Sequence, residues 1–141
     1  FGNTIGLIED KPNMDNFNII RMLIGKYTSS NVFIVSRAGE KMRPRIRDWL
    51  ERHDFYDYTG FDPENVHFVK EYHEKKGVVT KLGINVFIDD HYKIMKSLID
   101  LDIDLVWFNP KADIKLISKE HRHKIRICKD WNKIWGYSWN K

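Results

Sequence analysis

The sequence predicts a single α/β domain over residues 1–141, with helices on both faces of a parallel sheet in a three-layer Rossmann-like arrangement. A chain of 141 residues has the usual length of one domain and can bury a core without disulfides or a structural metal. Short runs of β-branched and aromatic residues alternate with helical patterns along the chain. Helices of about a dozen residues separate successive strands, as is typical of right-handed crossovers between parallel strands.

Five short apolar runs predict the strands. The first reads Val-Phe-Ile-Val and is bounded by Ser and Thr residues. The third closes on two acidic residues, and in the fifth Lys and Arg alternate outward, as they do in many edge strands. The predicted strands are 31–35, 66–69, 85–88, 104–108 and 124–128.

Apolar residues at three- and four-residue spacing predict helices between these strands. Asn13 or Asp15 can cap the first helix. Pro44 is tolerated in the first turn of the second helix, and Gly83 suits the end of the third. The predicted helices are 13–27, 41–52, 71–82, 91–101 and a Trp-rich helix at 130–139, so that residues 111–141 hold the edge strand and this last helix.

The composition excludes several classes of protein. Hydrophobic residues make up 42% and charged residues 31%, with 8 Gly and 4 Pro, which excludes collagen-like, low-complexity and disordered chains. The apolar runs are too short for a transmembrane helix or a signal-peptide core, so no membrane partner is expected. The single cysteine, Cys128, excludes a disulfide framework and a multi-cysteine zinc site. It favours a reducing intracellular compartment, of which the cytoplasm is the natural one.

The charge balance is mildly basic. Lys and Arg total 24 against 20 acidic residues, for a formal net charge of +4. This balance favours an anionic partner such as nucleic acid without requiring one, because most surface charges serve only to keep the surface solvated.

Residues directly after the strands are the candidates for function, because ligands bind at the carboxyl ends of parallel strands. Ser36 and Arg37 follow the first predicted strand. A hydroxyl before a glycine-containing turn and a helix can bind a phosphate oxygen. The alternative interpretation is that Ser36 only caps the helix that follows.

Two carboxylates in succession, Asp89 and Asp90, follow the third predicted strand. Like charges at one strand end are costly unless a positive charge lies opposite, and oxygen ligands suit Mg²⁺. If repulsion dominates, Asp89→Asn should leave the stability of the metal-free protein unchanged or raise it. The alternative interpretation is that Asp89 caps the next helix and Asp90 lies in its first turn.

The order of these groups resembles motifs II, III and IV of the haloacid dehalogenase-like (HAD) superfamily. Ser36 matches the motif II hydroxyl, and Lys75 matches the motif III lysine by its spacing to Leu82 and Gly83. The acidic pair matches motif IV. The most specific stretch is Leu-Gly-Ile-x-x-Phe-Ile-Asp-Asp at 82–90, and the resemblance covers residues 1–110.

Motif I departs from the family pattern Asp-x-Asp-x-Thr. Asn3 and Thr4 fit, but Gly2 stands where the second Asp belongs, and the nucleophile is expected upstream of Phe1. A main-chain carbonyl at Gly2 can still bind a metal. The missing acid removes a proton donor worth about 10²–10⁴-fold in rate, which leaves a slow phosphatase, one that uses His91 or water as the acid, or a domain that binds without turnover.

The resemblance implies a Mg²⁺-dependent phosphohydrolase. The short spacers between motifs leave no room for a large cap domain, which implies access for bulky phosphorylated substrates such as nucleic-acid ends or phosphoproteins. The alternative is a catalytically inactive HAD-like binding or assembly module of a larger complex. The implied roles are catalytic for Ser36, Lys75 and Asp89, phosphate-binding for Asn3, Thr4, Ser36, Arg37 and Lys75, and metal-binding for Gly2, Asp89 and Asp90.

Overall fold

A computed structural model of the chain describes residues 11–108, 117 and 119–129. These residues form an α/β structure with parallel strands, which confirms the predicted class. Among them are five α-helices: α1 (Met14–Tyr27), α2 (Met42–Arg52), α3 (Phe55–Thr59), α4 (Glu74–Leu82) and α5 (Tyr92–Ser97). The strands are β1 (Ile34–Arg37), β2 (Val66–Val69), β3 (Val86–Asp89), β4 (Asp104–Phe108) and β5 (Ile125–Cys128).

The chain divides into two compact units, Phe1–Tyr72 and His73–Lys141. In the first unit, β1 and β2 form a two-stranded parallel sheet. Its core holds an aromatic cluster from three helices, in which the Phe17 ring lies 6.0 Å from Trp49 and 5.0 Å from Phe55. Edge-to-face rings at these distances combine a large buried apolar area with specific geometry, so they fix α1, α2 and α3 together.

The second unit contains a three-stranded parallel sheet in the order β3-β4-β5. Its central strand, β4, is buried from Leu105 to Trp107, as expected for a parallel strand that is covered on both faces. Helix α5 follows β3 and contacts both β3 and β4, with Ile94 and Met95 fully buried. This packing holds the residues that link β3 to α5 against the end of the sheet.

The structure corrects several predicted boundaries, among them that of β3, which ends at Asp89 instead of at residue 88. β1 begins at Ile34 and ends at Arg37, so Ser36 lies within the strand instead of after it. The parallel register continues through Ser36, opposite Phe68, because the hydrogen bonds between the strands are made by the backbone and a polar side chain does not interrupt them. Helix α4 begins at residue 74 instead of 71, and α5 ends at residue 97 instead of 101.

Helix α3 is not predicted by the sequence pattern, since five residues are too few to show a helical period. It is bounded by two left-handed residues, Asp54 at φ 56° and Gly60 at φ 79°. The strands predicted at 66–69 and 104–108 are confirmed at those bounds. The predicted helix at 130–139 lies outside the described residues. None of the helices among the described residues combines the length and the hydrophobicity that a membrane span requires.

Candidate functional site

The candidate site is the segment 89–91 in the second unit, where β3 ends and α5 begins. Asp89 is the last residue of β3 and is buried. His91, not Asp89, is the N-cap residue of α5. Asp89 Oδ1 accepts a hydrogen bond from the His91 amide at 3.0 Å. This contact spans two residues and ends at the N-cap residue, so it satisfies no amide within the helix. The simple helix-cap interpretation of Asp89 is therefore wrong.

A buried lysine supplies the positive charge opposite Asp89. Lys75, the second residue of α4, places its Nζ 2.7 Å from Asp89 Oδ2, and the two side chains are only 3% and 2% exposed. The neighbouring Lys76 instead pairs with Asp100 at 2.7 Å on the surface. Successive helical residues point about 100° apart, so only one of the two lysines can reach the strand end.

This pairing sets the charge state of Asp89. Burial acts to raise the pKa of the Asp89 carboxyl, but the Lys75 ammonium, its hydrogen bond and the donation from the His91 amide outweigh it and hold the pKa below its usual range. Asp89 is therefore a carboxylate at neutral pH. Both of its oxygens already accept hydrogen bonds, Oδ2 from Lys75 and Oδ1 from His91.

Asp90 and His91 form the accessible side of the site. His91 Nδ1 lies 2.8 Å from Asp90 Oδ1 and 3.3 Å from Asp89 Oδ1. The Asp90 side chain is 17% exposed and that of His91 37%, so both can meet a ligand from solvent. One donor atom from each of the three residues lies within 4.8 Å of the others, a spacing that one cation can bridge.

The loop that carries these groups is braced by Trp107 of β4. The buried Trp107 indole donates from Nε1 to the main-chain oxygen of Asp90 at 3.1 Å. The Tyr92 ring stacks on the same indole, with centroids 5.0 Å apart and an interplanar angle of 28°. Because Trp107 is the register partner of Asp89, one side chain fixes the loop from the adjacent strand.

The sequence pattern indicates His91 only as a proton donor and does not reveal its place between the two carboxylates. A signal was available, because a histidine directly after two acids at a strand end can share a ligand with them. The Lys75–Asp89 ion pair was likewise not anticipated. The lysine was expected to bind phosphoryl oxygens, and its contact with Asp89 depends on how α4 packs.

Ser36 and Arg37 belong to the first unit. Ser36 is 2% exposed and makes no side-chain hydrogen bond among the described residues. It does not cap α2, whose N-cap residue is Lys41. Arg37 is exposed at the end of β1, with its guanidinium 4.6 Å from the centroid of the Tyr72 ring. The remaining predicted site residues, Gly2, Asn3 and Thr4, lie outside the described residues.

Comparison with known proteins returned no relative: no protein-family model, no curated protein and no solved structure matches this chain.

Proposed function

We propose that the chain is a Mg²⁺-dependent phosphohydrolase, similar to HAD enzymes, that acts on a bulky phosphorylated substrate. The observation that carries the proposal is the group of two carboxylates and an imidazole at the carboxyl end of β3, with a buried lysine against the first carboxylate. Ligands of parallel α/β sheets bind at this end of the strands. A three-layer HAD-like arrangement of the strands is part of the same proposal.

The donor set suits a hard divalent cation. Mg²⁺ binds through one or two carboxylates and keeps several of its waters, and Asp90 has an accessible oxygen next to that of Asp89. Asp90 would hold the ion with Asp89 in support, and the Gly2 carbonyl is the further ligand that the resemblance implies. When bound, the ion would neutralise charge on phosphoryl oxygens.

The chain's own residues orient the site. Lys75 fixes the carboxylate of Asp89 through its ion pair, and Trp107 fixes the loop through the carbonyl of Asp90. The contact of Lys75 with a phosphoryl oxygen is proposed on the resemblance to motif III. Phosphate binding by Ser36, Arg37, Asn3 and Thr4 is proposed on the resemblance.

A second candidate function is a catalytically inactive HAD-like binding or assembly module. The specific observation in its favour is that Lys75 and the His91 amide already occupy both oxygens of Asp89. A carboxylate that is neutralised by an internal lysine does not need a metal. The glycine at the acid/base position, Gly2, favours the same candidate.

The metal is tested by thermal melts with and without Mg²⁺ at constant ionic strength. With a dissociation constant of about 1 mM, about 10 mM Mg²⁺ should stabilise the native state by roughly 1.4 kcal/mol. In a domain of this size this corresponds to a rise of about 3–6 °C in melting temperature. Asp90→Asn should remove the rise, because Asp90 offers the accessible oxygen and pairs with no lysine among the described residues.

Asp102→Asn, a change of an exposed acid in the same unit, is the matched control and should keep the full Mg²⁺ response. His91→Gln tests whether the imidazole is a ligand. The variant should keep the Mg²⁺-dependent rise in melting temperature if only carboxylate oxygens bind the ion, and lose it if the imidazole also binds. Identical Mg²⁺ responses in the parent and Asp90→Asn would exclude this metal site and favour the inactive module.

Catalysis is tested with p-nitrophenyl phosphate and Mg²⁺. The 141-residue chain should show negligible turnover, because its motif I holds neither carboxylate. A form with an Asp placed directly before Phe1 should gain activity that Ser36→Ala reduces. Robust hydrolysis by the 141-residue chain itself would show that the nucleophile has been assigned wrongly.

A further inference from the structure

The first unit carries a concentrated positive charge in residues 37–47, here called the basic segment. It contains five cationic side chains, Arg37, Lys41, Arg43, Arg45 and Arg47, and one acidic side chain, Glu40. Its net charge is therefore +4, equal to the formal net charge of the whole chain. The rest of the sequence is balanced, so the basic character of the protein resides in this segment.

None of the five cations forms an ion pair with a described residue. By contrast, an arginine further along α2 does form an ion pair: Arg52 Nε contacts Asp48 Oδ2 at 2.8 Å. Among the described residues, helix α2 therefore forms an arginine–carboxylate ion pair at Arg52 but at none of the arginines of the basic segment. The first turn of α2 also has no acidic residue, although the helix dipole favours acids there and disfavours cations.

Aromatic rings and main-chain carbonyls position the arginines without neutralising them. Arg43 and Arg47, one helical turn apart, place their guanidinium carbons 5.9 and 5.0 Å from the centroid of Phe68. Arg43 Nε donates to the Ala38 carbonyl at 2.9 Å. Arg37 lies over Tyr72. Ring contacts of this kind orient a guanidinium while its charge stays unpaired.

We propose that the basic segment binds the phosphodiester backbone of a nucleic acid. Five cations that form no ion pair with a described acid match a polymer that carries one charge per nucleotide, and guanidinium groups bind phosphate in a bidentate manner. A protein partner would require an apolar centre depleted of charge, whereas the only large hydrophobic side chain exposed in the segment is that of Met42. Arg37 also belongs to the proposed phosphatase site, whereas the other four cations do not, so the Arg45 variant tests this binding independently of that activity.

The experiment is fluorescence anisotropy with a labelled mixed-sequence DNA strand of about 16 nucleotides, within the usual site size of single-strand binders, and with its duplex. If four of the five cations contact phosphates, the slope of log K against log salt on the single strand is about −2.8. A rise from about 50 to 200 mM salt then weakens binding about 50-fold. The duplex arm shows which form of nucleic acid is preferred.

Single charge removals identify the surface. Arg37→Gln and Arg45→Gln should each move the single-strand slope to about −2.1, so that the same rise in salt weakens binding only about 20-fold. Arg21→Gln is the matched control, because Arg21 also lies over a tyrosine ring of the first unit, 5.2 Å from the Tyr58 centroid, but outside the segment. It should leave the slope unchanged. Circular dichroism melts verify that each variant is folded.

Three results would overturn the proposal. The first is the absence of salt-dependent binding to either DNA. The second is an equal change of slope in the Arg21→Gln and Arg37→Gln variants, which would indicate a diffuse charge effect. The third is displacement of the DNA by polyglutamate or by phosphatidylserine vesicles at equal charge concentration, which would assign the surface to an acidic protein or to a membrane.

Discussion

Replacing Asp89 with asparagine removes the charge opposite Lys75 and leaves a buried ammonium group without its partner. The ion pair is 2.7 Å long and its side chains are 3% and 2% exposed, so solvent does not screen the loss. Removing one member of a buried pair costs about 3–5 kcal/mol. We therefore expect Asp89→Asn to destabilise the metal-free protein, the opposite of what repulsion between two adjacent carboxylates predicts.

A double-mutant cycle measures this effect by urea unfolding. Lys75→Met should lose about 3–5 kcal/mol for the same reason. The double variant Lys75→Met with Asp89→Asn should lose less than the two single losses together, because neither member of this pair is then a buried charge. Lys76→Met is the matched control; it breaks an exposed pair with Asp100, which is worth at most about 1 kcal/mol.

A free energy of unfolding of Asp89→Asn within about 0.5 kcal/mol of that of the parent, the range of ordinary surface changes, would contradict this expectation. Additive losses in the double variant would also contradict it, since independent sites add and coupled ones do not. Either result would mean that the two charges are not held together in a buried site.

Two further predictions concern pH and backbone. The native pKa of Asp89 lies below its unfolded value of about 3.9, so the ionised carboxylate stabilises the fold above that pH. The difference in free energy of unfolding between the parent and Asp89→Asn should therefore be constant near neutral pH and shrink as the pH falls through the native pKa. A difference that grows in acid would contradict this. Gly83 has φ +67° with open space around its Cβ position, so Gly83→Ala should lower the free energy of unfolding by about 1 kcal/mol. Gly77→Ala inside α4 should instead raise it by about 0.5–1 kcal/mol. Urea unfolding measures both, and equal effects would contradict the strain of the left-handed conformation at Gly83.

The sequence was most informative where a local pattern decides the structure. Strands 66–69 and 104–108 are predicted at their observed bounds because apolar runs end there at turn residues. The sequence pattern ends β1 too early, because Ser36 and Arg37 are polar, although both residues pair with β2 and belong to the strand. Their place depends on pairing with residues about thirty positions away, which no local pattern reveals.

The sequence predicts which residues form the candidate site but not the contacts between their side chains. The spacing to Gly83 singles out Lys75 from Lys76, and the strand end singles out Asp89 and Asp90. The ion pair depends on the packing of α4, and the place of His91 depends on the bend at Asp89. The ion pair follows from tertiary structure, whereas the turn at Asp89 is local and replaces the simpler expectation of an N-cap.

Trp107 gives this site an optical reporter of its own. Its indole is buried, so a solute quencher in solution cannot reach it directly, yet its N–H bonds to the loop that carries Asp90 and its ring stacks on Tyr92. Tryptophan emission depends on the local field and on hydrogen bonding at the indole nitrogen. With a fluorinated tryptophan, the resonance of Trp107 would follow any rearrangement of the loop at single-residue resolution, without a label on the groups that bind.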